Sequence, residues 1–305
     1  MDSPRYRTLA AHLKQRFGER VQKIPLDAGF SCPNRDGTFS TTGCAFCNPK
    51  GSGSGLAEAG WSLPQQWEYW KPRLARKYKA RLFLGYLQSF SNTHGPVSRL
   101  ARVLGSLEGL EGCVGLCLGT RPDCLDEEKL KCIAARPFQE TWLELGLQSA
   151  HDRTLERINR GHDAACFAQA VRAAADRELQ VCAHVVAGLP GEGLDDFLET
   201  IRFLNRLPVQ GIKIHNLYVC RDTALGELWA SGGYRPLRLE EYVEHAARAV
   251  ALLREDVVVH RINGDPAPGE LLAPAWAADK GAVLSAVRRE LEARDVVQGQ
   301  EARSS

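Results

Sequence analysis

Residues 24–55 read IPLDAGFSCPNRDGTFSTTGCAFCNPKGSGSG, and this stretch decides the fold. A short apolar segment, Ile24 to Phe30, reads as a first strand that runs into Cys32. A polar loop follows, then Cys44 and Cys47 with Phe46 between them. Three cysteines at C-x11-C-x2-C just after a strand read as ligands, because thiolates are soft donors that select zinc, copper(I) or iron–sulfur clusters. The loop from Pro33 to Gly43 is rich in Asn, Asp, Gly, Ser and Thr. Such residues turn tightly and leave backbone N–H groups free to face cluster sulfurs or an anion.

The number of thiolates matters more than the name of the metal. Structural zinc takes four protein ligands, and ordinary cubane clusters take four cysteines. The local motif supplies three. Three cysteines leave one iron of a cluster open to a substrate, which is a catalytic arrangement. The alternative is a zinc knuckle whose fourth ligand comes from afar, with His94 or Cys113 as candidates.

The pattern C-P-N-R-D-G…G-C-x-F-C resembles the cluster loop of the radical S-adenosylmethionine (SAM) superfamily. More narrowly it is similar to the YhcC-like branch, related to the Elongator catalytic subunit and oxygen-independent coproporphyrinogen dehydrogenase. Its eleven-residue gap departs from the commoner C-x3-C-x2-C spacing of the superfamily. The resemblance implies two cofactors, a 4Fe–4S cluster and SAM. Cys32, Cys44 and Cys47 would hold three irons, and the amino and carboxylate groups of SAM would chelate the fourth. Reductive cleavage of SAM would then give a 5′-deoxyadenosyl radical. Phe46 would pack beside the adenine.

At 305 residues with 44% apolar content, the chain suits one α/β barrel. A net charge of +2 gives no global pull toward nucleic acid or anionic lipid. The sequence contains no secretory apolar region near Met1 and no run of the ~20 apolar residues that span a bilayer. No membrane partner is therefore expected. Ten cysteines without a leader point to a reducing cytoplasm, with thiols and metal rather than disulfides.

Tyr6 to Phe17 reads as an amphipathic helix. Residues 51–55, Gly-Ser-Gly-Ser-Gly, read as a plain flexible loop, since no lysine follows in phosphate-loop register. Leu63, Trp67, Trp70, Leu74 and Tyr78 then share a helical face. Strands are expected at Arg81 to Gln88, Cys113 to Gly119, Thr141 to Leu147, Leu179 to Ala187 and Gly211 to Leu217, with amphipathic helices between them and after the last. A short extra strand is expected at Val257 to His260 and a helix from Gly281 to Arg294. This alternation gives βαβ units and a parallel sheet. The fold class is α/β: an incomplete parallel (βα)6 TIM-type barrel with an N-terminal helix and a C-terminal extension. The expected divisions are an arm at 1–22, a core barrel at 23–255 and an extension at 256–305.

In such a barrel the chemistry sits at the C-terminal ends of the strands. Strand two ends in Gln88, Ser89 and Asn92, where the superfamily places a Gly-Gly-Glu-like turn for the SAM amino group. Strand three ends at Gly119-Thr-Arg-Pro-Asp123, and Arg121 could face the pocket or solvent. On strand four, Glu144, Gly146 and Gln148 alternate and share one face. A buried charge such as Glu144 is costly unless paired or used. The resemblance assigns Gln148 to the ribose, Arg160 to the SAM carboxylate and His184 to the ribose side. Glu144 completes the cofactor-binding candidates. Lys213, His215 and Tyr218 follow on strand six. Cys113 and Cys117 alternate with Gly115 and would share a face; with Cys124 and Cys132 they match no cluster spacing, and buried small residues are their plain reading.

The resemblance to tRNA-modifying branches makes a tRNA base the first substrate class. It also implies a low-potential electron donor of flavodoxin or ferredoxin type. Six basic residues, Lys71, Arg73, Arg76, Lys77, Lys79 and Arg81, either meet RNA phosphates or form a solvated helix face. Two rival readings are kept. A metal-dependent barrel hydrolase could use His184 and His215, though it normally carries an H-x-H pair after strand one, where this chain has Cys32. A non-catalytic iron–sulfur or zinc protein, an RNA binder or a sensor, needs a fourth ligand and no strand-end pocket.

Overall fold

The computed structural model describes residues 5–48, 51 and 55–302. The glycine-serine loop at 51–55 falls largely outside the described residues. Helix α1 (Leu9–Phe17) leads to strand β1 (Val21–Leu26). There follow α2 (Leu63–Tyr78), β2 (Leu82–Leu87), α3 (Val97–Gly105), β3 (Cys113–Thr120), α4 (Glu127–Ala134) and β4 (Glu140–Gln148). Two helices, α5 (Asp152–Arg157) and α6 (Ala164–Ala175), precede β5 (Gln180–Ala187), and α7 (Leu194–Asn205) precedes β6 (Gly211–Asn216). The chain ends with β7 (Val219–Cys220), α8 (Ala224–Ala230), α9 (Leu239–Leu252), β8 (Val258–Arg261), β9 (Leu271–Ala273) and α10 (Lys280–Ala293).

Seven strands form one parallel sheet in the order β1-β2-β3-β4-β5-β6-β8. The expected short strand therefore adds a seventh stave, and the segment after residue 256 joins the barrel sheet. β7 and β9 pair antiparallel beside it. Crossovers of one hand, each adding a strand on the same side, curl such a sheet into a partial barrel. The curl is visible in one contact set. Lys23 on β1 bonds Glu144 on β4 at 2.6 Å and lies 3.4 Å from His260 on β8. In a flat sheet β1 and β8 would stand about 28 Å apart, six strand spacings.

The outer face of the sheet is apolar and carries the helices. Ile24, Leu26, Phe83, Leu116, Leu143, Leu145, Val181 and Ile212 are all buried in the layer between sheet and helices. Each such side chain contributes roughly 1.5–3 kcal/mol on leaving water. The N-terminal end of the barrel is closed by α1. Leu13 packs against Val21, Leu84, Trp142 and Val258, while His12 and Arg16 reach Glu140 at 2.8 and 2.6 Å. The lumen is left to open at the other end, where the strand-end loops lie.

Two sequence expectations change. β1 ends at Leu26, four residues before the expected limit at Phe30. Beyond it the Asp27 N–H donates to the Gln66 side chain at 2.9 Å, outside the strand ladder, and Gly29 turns with φ 66°. Pro25 is tolerated because β1 is an edge strand. The second change is on β3. Its register against β2 slips between Phe83↔Cys113 and Leu84↔Gly115, so Val114 is extra. This bulge parts the two cysteines: Cys113 packs against the outer core and Cys117 faces the lumen.

Candidate active site

The cysteine loop is built by turns and then clamped from the far side of the chain. The Cys32 carbonyl accepts from the N–H groups of Arg35 and Asp36 at 2.8 and 3.1 Å, which reverses the chain at once. Gly43 donates to the Asn34 carbonyl at 2.7 Å and closes the loop. Gly43 has φ 80°, and the Arg35 guanidinium lies where a Cβ would sit, so this position requires glycine. That guanidinium also donates to the Cys47 and Asn48 carbonyls at 2.7 and 2.5 Å.

The clamp is the turn after α5. Asn34 is fully buried, and its Nδ2 donates to the Asn159 carbonyl at 2.5 Å and to Cys44 Sγ at 3.4 Å. Asn159 Nδ2 returns to the Gly43 carbonyl at 2.8 Å. Arg160 donates to Cys44 Sγ at 3.6 Å and to the Gly146 carbonyl at 2.7 Å. Arg160 therefore ties the thiol to the end of β4. A Cβ on Gly146 would collide with both the Arg160 guanidinium and the Gln148 amide, which places Gln148 and Arg160 together. Gln148 holds φ 79°, and the register of β4 against β5 slips just before it.

The three cysteines sense one another. Burial pushes the Cys47 thiol up; charge on Cys44 adds to this, Arg35 works against it, and Cys32 adds again. Arg121 is 2% exposed and grips Asp123 through two bonds of 2.9 and 2.6 Å. Burial opposes its charge, but Asp123, and then Cys32 and Cys44, hold the guanidinium above its ordinary pKa. Among the described residues, no three His, Cys, Asp or Glu side chains are arranged to hold a single metal ion. Of the candidate fourth ligands, His94 is against the cysteine loop but engaged by that loop's Asp36 at 2.7 Å, and Cys113 sits at the N-terminal end of β3, the closed end of the barrel.

The remaining candidates divide by depth. Gln88 follows β2 beside Gly119. Ser89 is buried with an unpartnered hydroxyl. Asn92 staples the strand ends, its Nδ2 donating to the carbonyls of Leu87, Ser89 and Gly119 while its Oδ1 has no partner. Phe46 lies on an apolar cluster with Leu155, Ile158, Val186, Leu189 and Leu217. Glu144 sits deeper, with its oxygens engaged by Lys23, Lys213 and His184. Burial alone would raise the Glu144 pKa, but Lys213 and Lys23 hold it well below the carboxylate range. His184 bonds Glu144 at 3.1 Å, and burial lowers its pKa to about 4. His215 lies 5.4 Å away, ring to ring, and burial holds it well below its usual value.

A model of the Radical SAM superfamily matches residues 35–204, more than half of the chain. The chain belongs to the radical SAM superfamily. A second model, the Radical_SAM C-terminal domain, matches residues 209–293. The chain is 38% identical over 296 residues to the Bacillus subtilis protein YtqA, covering 97% of this chain and 92% of that one. It is 38% identical to the Escherichia coli protein YhcC, covering 88% and 86%. The fold is also similar to that of an archaeal Elp3 from Methanocaldococcus infernus with its N-terminus deleted, at a TM-score of 0.70 and 18% identity. That match covers 91% of this chain and 64% of the other. This radical SAM protein is an enzyme that uses a 4Fe–4S cluster and SAM.

The residues at the barrel mouth fit that pair of cofactors. Three thiols supply the soft donors. Beside them Asn34 Oδ1, one Arg121 nitrogen and Arg160 Nε are buried without a protein partner. Buried polar atoms are normally paired, so unpartnered atoms next to the thiols fit a site that takes a polar ligand. Sequence reasoning missed Asn34, Asn159, Lys23 and His260. Asn34 and Asn159 were visible only as loop residues, and their pairing spans 125 positions.

Proposed function

We propose that Cys32, Cys44 and Cys47 hold the cluster and that SAM lies between the cysteine loop and the ends of β2, β4 and β5. We further propose that the substrate is a tRNA base. When bound, the reduced cluster supplies one electron for cleavage of the SAM C5′–S bond, giving methionine and a hydrogen-abstracting deoxyadenosyl carbon radical. The rest of the work falls to the chain. Arg160 fixes Cys44 against β4, and its unpartnered Nε would meet the methionine carboxylate. Arg121 places a second cation beside Cys32 and Cys44. Gln148 and Ser89 offer polar atoms to the nucleoside, and Phe46 offers a ring face beside it. His184 and His215, both neutral, line the way inward and hold no proton charge that would repel SAM.

The observation that carries this reading is the tether of Cys44 Sγ by both Asn34 and Arg160, two residues 126 positions apart in sequence. It joins the cysteine loop to the strand-four pocket in one site. The sequence resemblance to RNA-modifying branches, the Elongator catalytic subunit among them, supports the tRNA reading. A cytoplasmic setting with a flavodoxin or ferredoxin as reductant completes the proposal; among the described residues no helix is long and apolar enough to cross a membrane. The test is anaerobic reconstitution with SAM and dithionite. Release of 5′-deoxyadenosine, with hydrogen from tRNA appearing in it, is the expected result. 5′-Deoxyadenosine without such transfer would remove tRNA as substrate.

A further inference from the structure

The lumen floor below the cofactor site carries an unbalanced charge. Among the described residues Glu144 is the carboxylate that engages this layer; Glu140, four residues earlier on β4, is held by His12 and Arg16. Lys23 donates to one oxygen at 2.6 Å, and Lys213 donates to the other. Lys213 also donates to the Tyr86 hydroxyl at 2.9 Å, and both ammonium groups lie over the Tyr86 ring, at 4.9 and 4.4 Å. The other groups facing this layer are neutral at pH 7. Burial lowers His184 to about 4 and His260 to about 3, and it holds His215 well below its usual value. Burial keeps Tyr86 protonated and raises the Cys117 thiol to about 12 and Cys182 well above its ordinary value. Arg261, at the end of β8, and Lys280 share Asp265, at 3.4 and 2.7 Å. Two ammonium groups thus face one carboxylate.

A structural ion pair in a protein interior is balanced, because an unpaired buried charge is expensive. A second lysine here is explained if the balance is completed by a ligand. The layer is reachable: the side chains of Lys23 and His184 each keep 19% of their exposure, although Glu144 keeps none. α1 closes the other end of the barrel. We propose that Lys23 and Lys213 bind an acidic substituent carried by the substrate base, a carboxylate with one negative charge and not an RNA phosphate, and so draw the reacting part of the substrate into the lumen. Glu144 holds the two ammonium groups apart and positions them. This rests on the reading of the barrel mouth as the active site. One surplus charge suits a monoanion, and the neutral imidazole of His215 can donate to its oxygens; His184 already gives its one N–H to Glu144.

The test uses reconstituted holoenzyme with SAM, titrated anaerobically with trifluoroacetate and followed by fluorine NMR. Wild type should bind it saturably. Lys213→Met and Lys23→Met should each weaken binding by about tenfold, the effect of losing one charge-assisted bond, while Lys131→Met on α4 should not. SAM affinity should stay within about twofold in both lumen variants. Each lumen variant leaves one lysine against one glutamate, so each should melt no lower than wild type without ligand, whereas Glu144→Gln should melt lower. No saturable binding, or equal binding by all variants, overturns the proposal. So does a parallel loss of SAM affinity, which would make the anion the cofactor's own carboxylate. Displacement of trifluoroacetate by dimethyl phosphate at lower concentration would make this a phosphodiester site and also overturn it. Release of 5′-deoxyadenosine is measured alongside. If it fails while trifluoroacetate binds, the active-site reading falls and the anion site stands; the reverse result leaves the active-site reading and removes the anion site.

Discussion

At the barrel mouth, Asn34 Oδ1, Ser89 Oγ and Arg160 Nε are buried with no protein partner. One layer below, both Glu144 oxygens, both lysines and the Tyr86 hydroxyl are partnered, and His260 Nε2 is not. The deficit of the mouth is chiefly one of hydrogen bonds, and that of the floor chiefly one of negative charge. The first deficit is short-ranged and directional, so it suits a ligand of fixed shape. The second is less directional and suits a charged group that need only be drawn in. In the proposed reading the mouth would hold the cluster and SAM, and the floor would take the acidic end of the substrate.

The largest expected effect is at the mouth. Replacing Cys32, Cys44 or Cys47 with Ala should abolish SAM cleavage, measured as 5′-deoxyadenosine released under dithionite. Cys113→Ala should leave it largely intact, because Cys113 packs on the outer face at the closed end of the barrel. A Cys113→Ala enzyme without activity would mean that the division between mouth and floor has been drawn wrongly.

Next in size is the clamp. Asn34→Ala removes the donor that two buried groups share and leaves the Asn159 carbonyl without it. The expected loss in loop docking is about 1–3 kcal/mol. Iron retained per chain after gel filtration should fall several-fold, and amide exchange over residues 33–43 should quicken. Asp36→Ala, in the same loop but facing His94 near the surface, should change neither. Equal effects from both would show that the loop is held by its own turns and that the clamp is secondary.

How much of this could be read in advance depended on sequence distance. The cysteines, the βα alternation and the shared face of Glu144, Gly146 and Gln148 follow from local spacing, and local spacing is what a sequence displays. The bulge at Val114 was hidden, since one extra residue leaves the apolar pattern of β3 intact while moving Cys113 to the other face. The lumen lysines were hidden for another reason. Lys23 reads as an ordinary edge-strand lysine until the sheet curls and brings β1 opposite β4 and β8. Curvature belongs to the whole sheet, and no single stretch carries it.

The floor makes its own prediction with pH. His184 and His260 have folded-state pKa values of about 4 and about 3, against 6.5 when unfolded. Their depressed values mean that the unfolded chain takes up protons first as pH falls. Stability should therefore be full above about pH 6.5 and decline from there to about pH 4, with a limiting slope of about 1.4 kcal/mol per pH unit for each histidine. Glu144, also depressed, adds to the decline below about pH 4.5. Urea unfolding at pH 7, 6 and 5 would measure it. His260→Asn should flatten the slope between pH 6.5 and 5; an unchanged slope would mean that the floor does not hold His260 neutral.

The smallest effect is expected on α2, outside both regions. The six basic residues on α2 and just after it look like an RNA-binding stripe in sequence, but the structure gives several of them local partners. Lys71 bonds Glu111 at 2.7 Å, Arg73 stacks on Tyr69 at 3.7 Å, and Arg81 bonds Glu19 at 3.1 Å. The helix also runs the wrong way for the purpose. Its C-terminal end, where Arg76 and Lys77 lie, leads into the start of β2 and so sits at the closed end of the barrel. A tRNA reaching the mouth would have to wrap the whole wall to touch it. Each phosphate contact adds roughly 0.7–0.9 to the slope of log affinity against log salt. Changing Arg73, Arg76 and Lys77 together to Ala should therefore leave the slope within about one contact of wild type, a shift under about 0.9. A drop of about two or more would place RNA along the side of the barrel. The mouth would then capture one end of a long footprint, and the lumen floor would no longer be the principal site of substrate recognition.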